Sequence, residues 1–438
     1  FFFFFFFFFF FFFGVIPGGN GLLSKRPDRF SPNNWPIYYS KAKGYNIYDL
    51  NNKKYIDFTQ MGTGAAILGY ADKDVNNFAT KEISKSVNTT LNSPLEVALA
   101  KELLSINAFA GSVKFSRGGG EAMSIAARIA RTYTKKDIVI FSGYHGWQDW
   151  YMATNLSSKK NLNTHLLPGL KANGVPKNLI NSIIPCSYNN AIELKKLLKK
   201  YKKNIAAIIV EGARNTYPSK EFLHEIFQFK KNNKCVFIVD DISSGFRVSR
   251  GGSFQKVNYT PDLAVYGKCL GNGFAISAVV GKSNIMDQAQ NTFISSSFWT
   301  ESLGFAAGLA AIKKMKKIRI WQHTNNIGKI YKSYVLDSAN RHDIKIFFND
   351  VDAMCSMQFG YSKLNDGIIT YITNEMLKRG YLFSTGFYPS YSHNEKAISK
   401  FQFNLDLVFK EIKKKGIDKI YSSLDKKNIR SDAFKRCT

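Results

Sequence analysis

The chain has 438 residues, 45% of them hydrophobic, which is enough for one large α/β domain with a sizeable core and a smaller second domain. Its net charge of +29 comes mostly from lysines scattered along the chain. No basic block lies within a recognisable nucleic-acid motif, so we expect solvated surface lysines and no nucleic-acid partner. Five cysteines without a CxxC pair indicate neither a metal site nor a disulfide framework, and they predict a cytoplasmic location.

The N-terminus begins with an uninterrupted phenylalanine run, Phe1 to Phe13. The run lacks the basic start and the small-residue cleavage site of a signal peptide, and it is too short to cross a bilayer. We expect it to be a homopolymeric nucleotide tract read as coding sequence, with no structural role.

The segment that follows is predicted to contain a hairpin, with strands Gly44–Asp49 and Lys54–Asp57. No other segment is long and apolar enough for a membrane helix, so no membrane association is expected.

Strands and helices then alternate along the chain, each identified by its apolar period and its flanking turn residues. This alternation predicts an α/β fold with a mainly parallel sheet covered by helices on both faces. The chain contains no GxGxxG motif, so a dinucleotide site is not expected. The predicted strands are Ser112–Phe115, Ile138–Phe141, Ile205–Val210, Val236–Val239 and Leu263–Tyr266, and the predicted helices are Leu95–Ala108, Glu121–Thr134, Ala191–Tyr201, Ser219–Asn232 and Ala306–Lys317.

Three glycines, Gly118, Gly119 and Gly120, directly precede the predicted helix Glu121–Thr134. Consecutive glycines let backbone N–H groups converge, and a helix N-terminus adds a positive dipole. The pattern therefore predicts an anion cradle suited to the phosphate of a cofactor. The alternative is an ordinary turn at the start of a helix.

Polar groups also follow two central strands. Tyr144 and His145 come shortly after the strand that ends at Phe141, and Glu211 directly follows Val210. An aromatic ring at a strand end can stack on a planar cofactor, and ligands of α/β sheets gather at the carboxyl ends of strands. A structural Tyr-His turn and a helix-capping acid remain the alternatives.

An acid and an amine at neighbouring strand ends carry the strongest chemical signal. Asp240 ends the strand that begins at Val236, and Lys268 follows the strand Leu263–Tyr266 among glycines. Pyridoxal 5'-phosphate (PLP) chemistry needs a lysine that forms a Schiff base with the aldehyde, and a carboxylate that keeps the pyridine nitrogen protonated. The pair predicts a PLP enzyme.

These elements give a predicted domain division. Residues 81–317 are expected to form the large PLP-binding domain, and residues 318–425, where helices alternate with short strands, a smaller α+β domain. Residues 14–80 are expected to join the smaller domain. The basic tail, residues 426–438, is expected to be loosely attached.

From Ile16 to about Ile420 the chain resembles the class III aminotransferases, PLP-dependent enzymes of fold-type I, and most closely their glutamate-1-semialdehyde 2,1-aminomutase branch. The resemblance implies a large, mainly parallel-sheet domain with a smaller α+β domain. The motifs that carry it are Ile16-Pro17-Gly18-Gly19, Gly118-Gly119-Gly120-Glu121-Ala122, Tyr144-His145-Gly146, Asp240 to Arg247 and Pro261 to Lys268.

The resemblance also implies roles for individual residues and a homodimer with shared active sites. The phosphate is implied to lie against the Gly118–Gly120 loop and to meet a hydroxyl from across the dimer interface. By position, Lys268 is the Schiff-base lysine and proton shuttle, Asp240 binds the pyridine nitrogen, Tyr144 stacks on the ring with support from His145, Glu211 matches the acid of a Val-Glu-Pro motif, Ser297 supplies the hydroxyl across the interface, and Arg26, with Lys25 as second choice, holds the substrate carboxylate.

The chain also departs from the family pattern. Gly118 and Gly120 stand where the family has Ser and Thr, so the phosphate loses hydroxyl donors worth roughly 1 kcal/mol each, and Arg117 is a candidate to compensate. The leading functional hypothesis is a glutamate-1-semialdehyde 2,1-aminomutase. The alternatives are an aminotransferase acting on a keto sugar or another carbonyl compound for surface polysaccharide, and a non-catalytic basic binding protein on the same scaffold.

Overall fold

The structure, a computed structural model, describes residues 15–434, so the phenylalanine run and Cys437 lie outside the described residues. Three sheets organise this part of the chain. None of the helices within residues 15–434 combines the length and apolar content needed to cross a membrane.

A seven-stranded sheet forms the centre, in the order β4-β10-β9-β8-β7-β5-β6. Strands β9, β8, β7, β5 and β6 run parallel to one another, whereas β10 pairs antiparallel with both β9 and β4. The predicted mainly parallel sheet is therefore confirmed, and β10 is a strand that the sequence analysis missed. The strands of this sheet are β4 (Ser112–Ser116), β5 (Ile138–Ser142), β6 (Ile183–Pro185), β7 (Ile205–Glu211), β8 (Val236–Asp240), β9 (Leu263–Tyr266) and β10 (Ser277–Gly281).

The central strands are apolar on both faces because helices cover both sides of the sheet. Along β7, Ile208 and Val210 belong to one hydrophobic cluster, while Ala207 and Ile209 belong to another. Successive side chains point to opposite faces, so a strand buried on both sides is a continuous apolar run. This burial fixes the position of the strand ends, where the polar residues of the chain's candidate site follow.

Most predicted helices are present within a few residues of their expected bounds. The predicted helix Ala306–Lys317 starts earlier than expected and is followed almost at once by a second long helix, with Arg319 between them in the left-handed region at φ +48°. The helices of at least seven residues are Lys73–Ile83, Pro94–Ile106, Gly119–Thr134, Ala191–Lys200, Lys220–Lys231, Ser302–Ile318, Ile320–Arg341, Asn365–Lys378, Glu395–Lys415 and Ile417–Ser423, and the short ones are Asp149–Met152, Thr154–Ser157 and Ser283–Met286.

One of the two smaller sheets brings the N-terminal hairpin together with the C-terminal part of the chain, and the other is formed by C-terminal strands. One has the order β1-β2-β3-β13 and the other β11-β12-β14. Strand β3 pairs in parallel with β13. The predicted domain division requires such a contact, because it assigns residues 14–80 to the smaller C-terminal domain; the division itself stays a prediction. The strands are β1 (Tyr39–Lys43), β2 (Asn46–Asp49), β3 (Lys54–Phe58), β11 (Ile346–Phe348), β12 (Cys355–Phe359), β13 (Tyr381–Phe383) and β14 (Gly386–Phe387).

The described part of the basic tail is packed against the protein, unlike the loose attachment expected from sequence. Arg430 is 8% exposed and donates through Nε to the carbonyl of Arg29 at 3.1 Å. The backbone N–H of Ser431 donates to the carbonyl of Asp28, and that of Phe434 donates to the carbonyl of Pro168. A buried arginine is stable only when its charge is matched, and the carboxylate of Asp366 lies 3.4 Å from Arg430.

Candidate active site

Three adjacent parallel strands end at the same edge of the central sheet. Glu211 and Asp240, the last residues of β7 and β8, are direct partners across the two strands. Lys268 comes two residues after the end of the neighbouring strand β9. The parallel register therefore brings two carboxylates and one amine, far apart in sequence, to one place.

The carboxylate of Asp240 is buried and oriented by two donors. Nδ1 of His145 lies 2.8 Å from Oδ2, and the backbone N–H of Ile242 donates to Oδ1 at 3.0 Å. Because an ionised carboxylate can only accept, the His145 proton toward Asp240 sits on Nδ1. The other ring nitrogen, Nε2, is buried and has no hydrogen-bond partner among the described residues.

Lys268 is held in an unusual conformation beside these acids. Its φ of +32° is rare for a residue with a side chain, and such strain concentrates at functional sites. Its Nζ donates to the hydroxyl of Ser243 at 2.5 Å. Burial lowers the pKa of Lys268, and the nearby carboxylates of Glu211 and Asp240 act in the opposite direction. Burial thus favours the neutral, nucleophilic amine.

A cavity of about 330 Å³ opens beside these groups. It brings together seven of the residues predicted from sequence, and Gly118, Ser297 and Arg26 are not among the described residues that line it. The seven residues are Gly119, Gly120, Tyr144, His145, Glu211, Asp240 and Lys268.

The glycine loop forms a narrower cradle than the sequence predicted. The N–H groups of Arg117 and Gly118 both donate to the Glu121 carboxylate, at 2.9 and 2.8 Å, so the Gly118 amide is already engaged. Gly119 and Gly120 begin the helix, and first-turn amides have no intrahelical acceptor. The anion cradle is therefore limited to Gly119 and Gly120.

Arg117, the predicted candidate to compensate with its charge, lines the cavity, but backbone carbonyls already accept hydrogen bonds from its guanidinium. Nε donates to the carbonyl of Phe298 at 2.6 Å and Nη2 to that of Glu301 at 2.5 Å. The Glu301 carboxylate also lies 3.3 Å from Nη2. Arg117 thus anchors the turn Ser297–Thr300, which contains the predicted phosphate residue Ser297, and its compensating role toward the phosphate stays a prediction.

Arg26, the predicted substrate-binding arginine, is buried and forms a bidentate ion pair with Asp28, at 3.0 Å from Nε and 2.8 Å from Nη2. The i, i+2 spacing of the two residues was visible in the sequence and could have indicated this pairing.

The sequence analysis missed two other polar residues at the site. Ser243 contacts Lys268 as described, and Arg214 lies 2.8 Å from Glu211 through Nη1. The same Glu211 oxygen accepts from the backbone N–H of Tyr144 at 3.3 Å. The positions of Ser243 and Arg214, three residues after the strand-end acids Asp240 and Glu211, are the sequence signal that could have found them.

Comparison with known proteins decides the family. The profile of the family described as aminotransferase class-III matches residues 30–382. The chain belongs to the class-III aminotransferase family. This class-III aminotransferase is 31% identical over 314 residues to the 3-aminobutyryl-CoA aminotransferase of Cloacimonas acidaminovorans, an alignment that covers 70% of this chain and 71% of that protein. It is 30% identical over 401 residues to the glutamate-1-semialdehyde 2,1-aminomutase of Sulfolobus acidocaldarius, covering 85% and 92%.

Solved structures share the fold of this class-III aminotransferase. The FumI protein of Sphingopyxis sp. MTA144, solved with PLP, superposes with a TM-score of 0.84 at 22% identity, covering 94% of this chain and 96% of that chain. An omega-transaminase from Sphaerobacter thermophilus superposes with a TM-score of 0.80 at 19% identity, covering 90% and 94%. The predicted fold class and cofactor are confirmed, and the chain is a PLP-dependent aminotransferase or aminomutase.

The residues of the cavity fit PLP. An amine for the aldehyde (Lys268), a buried carboxylate for the ring nitrogen (Asp240) and an aromatic side chain (Tyr144) line one cavity with a helix N-terminus for the phosphate. A Cβ atom at Gly119 would lie 2.9 Å from Ile242, so the cradle depends on a residue without a side chain. Residues 15–434 contain no cluster of three or more His, Cys, Asp or Glu side chains that could hold a metal ion.

Proposed function

We propose that the enzyme is a glutamate-1-semialdehyde 2,1-aminomutase, which moves an amino group between neighbouring carbons of one substrate. The observation that carries the chemistry is the single cavity that joins Lys268, Asp240 and the Gly119–Gly120 cradle. The named substrate is supported by aminomutases that align with this chain over most of their length. Among them are those of Sulfolobus acidocaldarius and Wigglesworthia glossinidia brevipalpis.

In the proposed mechanism, bound PLP supplies an aldehyde that reacts with amines and a ring that accepts electrons. Nζ of Lys268 would take a proton from the carbon that loses the amino group and deliver one to the neighbouring carbon that gains it, and its burial keeps the amine available as a base. Asp240, oriented by His145, would hold the protonated ring nitrogen. Tyr144 would pack against the ring, and the amides of Gly119 and Gly120 would bind the phosphate.

The decisive experiment compares wild type with Lys268→Ala under single-turnover conditions. We expect wild type with PLP to convert glutamate-1-semialdehyde to the isomer with nitrogen on the neighbouring carbon. Lys268→Ala should lose at least about 10³-fold in rate, because no other base replaces the amine. Lys329→Ala, an exposed lysine on the helix Ile320–Arg341, is the matched control. Absence of conversion by wild type would eliminate the aminomutase.

A second candidate, an aminotransferase acting on a keto sugar or another carbonyl compound, is favoured by one observation. Arg26, which the aminomutase resemblance assigns to the substrate carboxylate, is paired with Asp28 and does not line the cavity. The similarity to a 3-aminobutyryl-CoA aminotransferase also supports an intermolecular transfer. The same single-turnover assay with separate amino donors and carbonyl acceptors distinguishes the two: release of a keto product after the first half-reaction supports this candidate.

We also propose a homodimer with shared active sites. Large apolar side chains are exposed beside the cavity: Trp147 is 75% exposed, Phe293 83% and Phe298 68%. Phe293 and Phe298 accept hydrogen bonds through their carbonyls from Arg128 and Arg117, which places this surface next to the glycine-loop helix. Exposed apolar patches of this kind mark interaction sites. Sedimentation should give twice the chain mass of 49.5 kDa, and a monomer at micromolar concentration would contradict the proposal.

The proposed location is the cytoplasm. The cysteines Cys186, Cys235, Cys269 and Cys355 are buried free thiols, which a reducing compartment maintains. Fractionation of cells that express the native protein tests this location.

A further inference from the structure

The phosphate cradle lacks hydroxyl side chains, and a side chain from another segment fills the space they leave. A Cβ atom at Gly120 would overlap the carboxamide of Gln148, lying 2.6 Å from Oε1 and 2.9 Å from Cδ. A Cβ atom at Gly146 would overlap Oε1 of the same side chain and lie 3.1 Å from Cα of Gly120. Gln148 can therefore occupy this position only because both neighbours are glycines; it packs against Gly120 and Gly146, which line the cavity, and is not itself among the described lining residues.

Local contacts hold Gln148 in place. Its backbone carbonyl accepts from the N–H groups of Tyr151 and Met152 at 2.9 and 3.0 Å, which fixes it at the start of a short helix. Its side-chain Oε1 accepts from the N–H of Trp147 at 3.1 Å. The carboxamide oxygen is thus engaged, while Nε2 donates no hydrogen bond to any residue between 15 and 434.

We propose that Gln148 is a phosphate ligand of the cofactor, and that its side-chain NH₂ replaces the hydroxyl donor missing at Gly120. The inference rests on the proposed cofactor site, since it needs the phosphate to lie at the Gly119–Gly120 cradle. Gln148 then adds a neutral donor beside two backbone amides. Arg117 also lines the cavity, but its guanidinium already donates to the carbonyls of Phe298, Ala275 and Glu301.

The test compares PLP with pyridoxal, which has the same ring and aldehyde but no phosphate. Dissociation constants for both are measured by absorbance and fluorescence titration of the cofactor-free protein. In Gln148→Ala we expect the dissociation constant for PLP to rise at least about tenfold, the cost of one hydrogen bond to a charged group. That for pyridoxal should change less than about twofold. Gln322→Ala, an exposed glutamine on the helix Ile320–Arg341, should change neither.

Combined substitutions at positions 120 and 148 distinguish a lost phosphate ligand from a general structural effect of Gln148→Ala. Gly120→Thr alone should weaken PLP binding, because its Cβ collides with Gln148. Gly120→Thr combined with Gln148→Ala should bind PLP more tightly than Gln148→Ala alone, since the new hydroxyl occupies the vacated space. Equal weakening of PLP and pyridoxal, or unchanged PLP affinity in Gln148→Ala, overturns the inference while leaving the cofactor site intact. Failure of wild type to bind PLP would overturn both.

Discussion

Removal of the Arg117 side chain should destabilise the protein more than removal of any ordinary surface arginine. The guanidinium makes short hydrogen bonds to the carbonyls of Phe298 and Glu301, at 2.6 and 2.5 Å. It also forms an ion pair with the Glu301 carboxylate, in which the two side chains are only 14% and 17% exposed. Arg117→Ala leaves two carbonyls unpaired and removes the charge partner of the Glu301 carboxylate, which keeps its helix-capping bonds from the N–H groups of Leu303 and Gly304. Because each lost hydrogen bond comes from a charged donor, the free energy of unfolding should fall by about 3–5 kcal/mol.

The measurement is urea-induced unfolding at a fixed protein concentration, followed by circular dichroism. Arg117→Lys keeps the charge but loses the fork geometry, so we expect an intermediate loss. Arg128→Ala is the matched control, because Arg128 is an exposed arginine with a single carbonyl contact, to Phe293 at 2.8 Å. A loss below about 1 kcal/mol in Arg117→Ala, or one equal to that of Arg128→Ala, would refute the reasoning from burial.

Two further changes test the site and the smaller sheets. Ser243→Ala removes the hydroxyl 2.5 Å from Lys268 Nζ, so we expect kcat to fall about tenfold with PLP affinity unchanged. Ser243→Thr keeps a hydroxyl and should retain activity. An unchanged kcat in Ser243→Ala would contradict this role. Burial lowers the pKa of His393 to about 4, and its Nδ1 accepts from the N–H of Ser390, so the folded protein needs the neutral ring. Because the unfolded chain takes up this proton first, the free energy of unfolding should fall by up to about 3 kcal/mol as pH drops from 6.5 to 4. The slope should be flatter in His393→Gln, as measured by urea unfolding at several pH values, and identical slopes would argue against it.

The positions of the candidate catalytic groups could be predicted because strand ends are visible in sequence. Strands β7 and β8 are uninterrupted apolar runs that stop at Glu211 and Asp240, and Lys268 follows β9 after one glycine. Parallel strands that are covered on both faces are continuous apolar runs, so the first polar residue marks the strand end. Because the carboxyl ends of parallel strands lie at the same edge of the sheet, the acids and the lysine meet there. Strands β6 and β10 were missed, because apolar runs of three and five residues are too short to be told from loop or helix segments by their period.

The sequence analysis erred on the directions of polar side chains, because the spacing of apolar residues along the chain does not show where a polar side chain points. Arg117 directly precedes the glycine loop, yet its long side chain turns toward Phe298 and Glu301, residues more than 180 positions away. Gly118 was expected to offer its amide to an anion, but the carboxylate of Glu121 accepts the hydrogen bond from that amide. Gln148 meets Gly120 only because two glycines let separate turns approach closely, a contact that depends on the folded backbone.

The basic composition of the chain and the chemistry of its site are independent of each other. The excess lysines lie on solvated faces, as at Lys195, whose side chain is 73% exposed beside Glu225. Such charge governs solubility and nonspecific attraction. The site instead places the carboxylates of Asp240 and Glu211 beside the Arg214 guanidinium, which pairs with Glu211, and beside the buried amine of Lys268, whose pKa is lowered by burial. We therefore propose that neutral donors at a helix N-terminus bind the phosphate, so that the loss of hydroxyls from the glycine loop does not require a new cation.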